Sequence, residues 1–369
     1  MAAAAYLDWN ATAPVRPEAA AAMAEMLALG GNPSSVHRAG RAARQRLEQA
    51  RGEVAALVNA KPAEIVFTSG GTEANHLALG GVAGRRIVVS AIEHDSIGEV
   101  VPEAEIVPVT TAGVVDLAAL DAILAAGTRP ALVSLMLANN ETGVIQPVRE
   151  AASIAHRHGA LLHSDAIQVA GKLAVDVGEL GVDLLSLSAH KLGGPQGAGA
   201  LFVADHVALK ALQRGGGQER GRRAGTENVP GLVGFGAAAA VARDVSVASE
   251  IVALRDEAEA RLLAIAPEAR VFGATAPRLP NTLCITMPAV AASTQVMALD
   301  LAGVMVSAGA ACSSGKVRPS RVLAAMGATP EEAGSAIRIS LGWSTARYEI
   351  DRLVDAWGAL YRRTRERAA

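Results

Sequence analysis

At 369 residues the chain exceeds one compact core of ordinary size, and its length favours about two domains. Apolar residues make up 51% and aromatic residues only 3%, which excludes a disordered chain and predicts packing through Ala, Leu and Val. The 34 Lys and Arg nearly balance the 36 Asp and Glu, so no overall field draws the protein to nucleic acid or an anionic membrane.

From the N-terminus, Met1 to Asn10 holds a short Ala run without a basic flank or cleavage pattern, and no apolar run reaches the roughly 18 residues of a membrane helix. A cytoplasmic protein is expected. Residues 64–68, 86–90, 131–136, 160–164 and 183–188 are short, nearly continuous apolar runs, the pattern of strands buried on both faces. Helical candidates at 73–80 and 150–158 lie between them, which predicts an α/β fold with a mostly parallel sheet. Polar residues follow each strand: Ser69-Gly70-Gly71-Thr72, Glu93-His94, Asn139-Asn140-Glu141-Thr142, Asp165 with Gln168, and His190-Lys191. Five such tails predict one site assembled on one edge of the sheet. An Ala-rich helix near 237–243 leads to a charged helical stretch at 247–265, where the composition changes and a second unit begins. It holds strand candidates at 283–287 and 336–341 and a closing amphipathic helix at 350–367.

Several of these segments carry chemistry. Strand, glycine turn and helix across 65–75 aim unpaired backbone N–H groups and the Thr72 hydroxyl at one spot, an anion site, with an ordinary capped helix as the plain alternative. Lys191 leaves an apolar strand, where partial desolvation favours the neutral amine that bonds a carbonyl group. Asp165, ending a neighbouring strand, is the partner that a protonated pyridine nitrogen requires; His94 can cover a flat ring and Gln168 can bind a phenolic oxygen. The stretch 215–228 joins glycines, three arginines and Thr226, fit to hold phosphate or carboxylate or else a flexible basic loop; its spacing is not a dinucleotide fingerprint. The two cysteines lie far apart and specify neither a disulfide framework nor a zinc site. Cys284 sits in an alternating, half-buried strand pattern and is expected to be an inert core thiol. Cys312, among small residues between Gly309 and Gly315 and close to Lys316, reads either as an accessible thiol able to act as a nucleophile or as a buried Cys of a small-residue loop.

These residues together resemble the cysteine desulfurases that supply sulfur for iron–sulfur clusters, including the nitrogen-fixation type, within the class-V aminotransferases. The resemblance runs nearly end to end, through Tyr6 to Thr12, Asn32-Pro33-Ser34-Ser35-Val36-His37, Ser69 to Asn75, Glu93-His94, Asn139 to Gly143, Ser164 to Gln168, Ser188 to Lys191, Gly215 to Asn228 and the Cys312 segment ending in Arg318-Pro319-Ser320. Gln196 and Trp9 stand where many members have lysine and a smaller or polar residue.

The resemblance implies a pyridoxal-phosphate transferase of fold type I, with a large cofactor domain at 13–246 and a small α+β domain from 1–12 and 247–369. It also implies a homodimer, L-cysteine as substrate and an acceptor or scaffold protein for the sulfur. Lys191, Cys312 and His94 would be the catalytic groups: Lys191 holding the cofactor, Cys312 taking the sulfur as a persulfide while alanine leaves, and His94 stacking on the ring and carrying a proton. Asp165 would meet the pyridine nitrogen and Gln168 the ring hydroxyl. Gly71, Thr72, Ser188 and His190 would surround the phosphate, with Thr226 reaching it from the other subunit. Asn140 would sit beside the cofactor and, with Arg338, bind the substrate. No metal is required, Cys312 being the one side chain offered as a passing cluster ligand. A selenocysteine lyase or a plain aminotransferase would keep Lys191 and Asp165, though the second has no use for Cys312, and a sulfur carrier without catalysis would use Cys312 alone.

Overall fold

The computed structural model describes residues 4–309 and 320–368. Twelve strands occur among them: β1 (Ala5–Tyr6), β2 (Ile65–Thr68), β3 (Arg86–Ser90), β4 (Glu105–Val107), β5 (Ala131–Ser134), β6 (Leu161–Asp165), β7 (Leu184–Ser188), β8 (Gly199–Val203), β9 (Thr282–Thr286), β10 (Val304–Met305), β11 (Ser307–Ala308) and β12 (Ala336–Ser340). Seven form one sheet in the order β2-β8-β7-β6-β5-β3-β4. All neighbours are parallel except β8, which runs antiparallel to both β2 and β7. The two reversals cancel, so β2 points the same way as β3, β5, β6 and β7, and all five release their chains at one edge.

The apolar runs form strands because both faces are covered, so neither face needs polar side chains. Alternation along a strand still divides the contacts. Ile65 and Phe67 join the core under Leu47, Val54 and Phe235 from the helices Arg38–Leu57 and Val229–Ala242, whereas Val66 joins the opposite core under Ala74 and Leu77 from Gly71–Gly81. The strand β8 has no counterpart among the expected elements, and neither do the helices Pro17–Leu29 and Arg38–Leu57.

A second core surrounds the sheet β11-β12-β9. Leu283, Ile285, Ile337 and Ile339 pack there with Leu262 of Ala248–Ile265 and with Ile350, Leu353 and Trp357 of Arg347–Ala368. The first strand belongs to this core: β1 pairs in parallel with β10, and Ala5 and Leu7 are fully buried. All five β9 residues are buried, which corrects the half-buried expectation for this strand, since β12 and the surrounding helices leave it no wet face. Cys284 is correspondingly inert, with burial pushing its thiol far above the ordinary range.

Candidate active site

A cavity of about 470 Å³ opens at the carboxyl edge of the large sheet, lined by residues from all five strand ends. At one side of it, β2 turns into the helix Gly71–Gly81 through Gly70 at φ +154°. A side chain at Gly199 would lie 2.5 Å from the Gly70 carbonyl carbon, so two glycines let this turn rest on β8. Gly70 provides no capping side chain, and the N–H groups of Gly71 and Thr72 have no partner among the described residues. They face the site as an anion cradle. Gly71, Thr72, Ser188 and His190 all line the cavity. The His190 ring bonds Thr12 Oγ1 through Nδ1 at 3.2 Å, and burial beside Lys191 lowers its pKa to about 4, which keeps it neutral.

Asp165 ends β6 at 5% exposure. Asn75 Nδ2 donates to its Oδ2 at 2.9 Å and the Ile167 N–H to its Oδ1 at 2.9 Å. Burial raises its pKa while these donors oppose the rise. Lys191 follows β7 in a short turn and donates to the Asn10 and Ala11 carbonyls at 2.6 and 2.8 Å. Burial, aided by the Arg338 charge, lowers its amine to about 8. Gln168 Nε2 donates to the Asn10 carbonyl at 3.0 Å. His94 caps the turn Asp95–Gly98 and lines the cavity, its Nδ1 bonded to Ser96 Oγ at 2.9 Å. Asn140 lines it too, and its carbonyl accepts from Arg338 Nη1 at 3.2 Å. Arg338, on β12, is 3% exposed, pairs with Asp8 at 2.8 Å and keeps an Nε that has no partner among the described residues.

Lys172 was not singled out by sequence, and Glu93 and Glu141 were named only within the polar tails, without a role. Lys172 is a buried amine whose Nζ donates to Gln168 Oε1 at 2.9 Å and to Asn10 Oδ1 at 2.8 Å; desolvation holds its pKa well below the ordinary lysine range. Its position after a glycine turn carries no periodic signal. Glu93 accepts from Ser90 Oγ at 2.6 Å and from the Met136 N–H at 2.8 Å, and burial, reinforced by Asp165, pushes its carboxyl up to about 8. Glu141 lines the cavity and accepts from Ser320 Oγ at 2.6 Å.

Two expectations fall elsewhere. Thr226 is exposed and absent from the cavity lining of this chain. Two of the three arginines of 215–228 face other partners: Arg223 pairs with Glu73 at 2.8 Å and Arg220 donates to the Ala63 carbonyl at 2.6 Å. Nor is the stretch a loose basic loop, because buried Glu219 accepts from the Phe67 N–H at 2.8 Å and holds Arg51 in a bidentate pair at 2.6 and 2.7 Å. Cys312 lies outside the described residues; on either side of it in sequence, Gly309 lines the cavity and Ser320 bonds Glu141.

The family model described as Aminotransferase class-V matches residues 5–353. The chain is 45% identical over 365 residues to a cysteine desulfurase from Cereibacter sphaeroides, covering 95% of this chain and 94% of the relative. It is 40% identical to the cysteine desulfurase IscS of Dictyoglomus turgidum, covering 95% and 92%. Among solved structures, a NifS-like protein from Rickettsia africae superposes with a TM-score of 0.91 at 35% identity, over 97% of this chain and 99% of that one. SspA in complex with cysteine gives 0.78 at 29% identity, over 91% and 98%.

Proposed function

The chain belongs to the class-V aminotransferase family and is a cysteine desulfurase that works with pyridoxal phosphate, and we propose that Lys191 carries this cofactor while Cys312 receives the sulfur of L-cysteine. What supports the reading is the convergence of a largely desolvated amine, a buried carboxylate and an open helix N-terminus on one cavity. The donor set fits the cofactor: free N–H groups at Gly71 and Thr72 for a phosphate, the Asp165 carboxylate for a pyridinium, an amide at Gln168 for a phenolic oxygen, and the His94 ring for a flat face.

Bound there, pyridoxal phosphate supplies an electron-withdrawing ring that stabilises the charge left at Cα of an amino acid. The rest falls to the chain. With a pKa of about 8, Lys191 is neutral in a useful fraction at neutral pH and can take up the Cα proton. Arg338, held by Asp8 and the Asn140 carbonyl, lines the cavity with a guanidinium suited to a substrate carboxylate. His94 delivers a proton to the departing carbon skeleton. The Cys312 thiolate bonds to the substrate sulfur as the carbon–sulfur bond breaks, and the electron pair goes to carbon, which is protonated and leaves as alanine.

The persulfide on Cys312 then passes to an acceptor thiol, and the IscS name of one relative favours a scaffold for iron–sulfur clusters. The exposed position of Thr226 supports a homodimer in which it completes the phosphate site of the partner. We also assign the cofactor domain to 13–246 and the small domain to 1–12 with 247–369. Borohydride trapping followed by peptide mapping tests the anchor: the cofactor mass is expected on Lys191, and its appearance on Lys172, the second amine at the site, would overturn the assignment.

A further inference from the structure

Two buried polar residues that no role above uses, Asn75 and Ser96, lie between Asp165 and His94. Asn75 is fully buried one turn below Thr72 in Gly71–Gly81. Its Nδ2 donates to Asp165 Oδ2 and to Ser96 Oγ, each at 2.9 Å. Asp165 already takes the Ile167 N–H on Oδ1, so both of its oxygens act as acceptors. An accepting carboxylate dictates that the nitrogen of the Asn75 amide, not its oxygen, faces Asp165. The amide oxygen is thereby turned away and left buried without a partner among the described residues, a desolvation cost that argues for a demanding neighbour.

That orientation settles the next link. Ser96 Oγ accepts from Asn75, so its own hydrogen is free for the atom on its other side, His94 Nδ1, 2.9 Å away. The Ser96 backbone N–H points at the same nitrogen from 3.1 Å. A ring nitrogen that receives two donors carries no proton itself, and a neutral imidazole then bears its hydrogen on the other nitrogen. His94 Nε2 has no partner among the described residues, and His94 lines the cavity.

We propose that Asn75 and Ser96 are positioning residues that lock His94 in the tautomer with its proton on Nε2, so that the orientation of one amide against Asp165 decides that His94 meets the cavity as a proton donor. The proposal rests on the roles given above to Asp165 and His94. Because Asn75 shares its helix with the Gly71 and Thr72 N–H groups, one rigid element sets the anion cradle, the Asp165 carboxylate and the His94 tautomer together.

The test is nitrogen-15 NMR of the holoenzyme labelled in its histidine rings, with His94→Gln identifying the His94 signals among the 8 histidines. The expected spectrum shows a protonated Nε2 and an unprotonated, hydrogen-bonded Nδ1. Ser96→Ala and Asn75→Leu are each expected to lose this single tautomer and to displace the limb of the pH–rate profile that reports proton donation, whereas damage to packing alone would leave the tautomer in place. A proton on Nδ1 in the unaltered enzyme overturns the proposal even if neither variant folds, as does an unchanged tautomer in both. Undiminished alanine formation by His94→Gln would instead remove the catalytic role of His94 and leave the tautomer result standing.

Discussion

Asn10 bonds nearly everything that defines the floor of the site. Its carbonyl accepts from Lys191 and Gln168, its Oδ1 from Lys172 and Asn281, its Nδ2 reaches Thr282 Oγ1 at 2.9 Å, and its N–H reaches Ser340 Oγ at 2.9 Å. Lys172 closes this network, so Lys172→Met leaves Gln168 Oε1 and one Asn10 bond unmet; denaturant titration should show a loss of about 1–3 kcal/mol. A different buried group contributes to acid sensitivity. His163 bridges Ser134 and Ser186 at 2.9 Å on each side inside the sheet, and burial lowers its pKa to about 3. Its folded-state pKa lies below the ordinary 6.5, so the unfolded chain takes up the proton first: stability is full above 6.5 and declines toward 3, by about 1.4 kcal/mol per pH unit. His163→Gln should flatten that decline in pH-dependent urea midpoints. Residue identity at strand ends was legible because Lys191, Asp165, His94 and Gln168 each follow a recognisable apolar run. Asn10 and Lys172 were not legible as site builders, because their roles come from chain segments brought together only by the fold.

At the level of elements, the apolar strands could be read because parallel strands buried on both faces need little polar punctuation, and the five polar tails told where they end. The strand β8 is short and follows the glycine-rich, loop-like residues 193–198, which masks its Leu201-Phe202-Val203 run, yet Gly199 is what admits the Gly70 turn. Gly199→Ala should force that turn off the sheet, costing about 1–3 kcal/mol by overpacking and lowering phosphate retention; equilibrium dialysis of the cofactor reads the second effect. The Ala-rich helix Pro17–Leu29 has a blurred apolar stripe, whereas Arg38–Leu57 carries a helical one in Ala43, Leu47, Ala50 and Val54 and was legible in principle; the buried pair its Arg51 makes with Glu219 has no sequence signal at all. The closing helix was legible from its amphipathic pattern. It carries the second core on Trp357, fully buried and stacked at 5.9 Å on Tyr361, so Trp357→Ala should cost about 3–5 kcal/mol in thermal or denaturant unfolding.

Across the whole molecule, the site draws on both cores: β12 brings Arg338 and the N-terminal segment brings Asn10 to a cavity otherwise built by the large sheet. A partner subunit supplying Thr226 would complete it. Mixing Lys191→Ala with Thr226→Val protein should then restore turnover that each lacks alone, because one site of the mixed dimer keeps both residues. The Lys191 site and the Cys312 thiol act as two halves of one reaction. Alanine and sulfide release from L-cysteine with a thiol reductant is the decisive measurement: both products are expected in step from the unaltered protein and neither from Lys191→Ala or Cys312→Ala. Normal turnover by Cys312→Ala would contradict this, by showing that sulfur leaves the substrate without passing through that thiol.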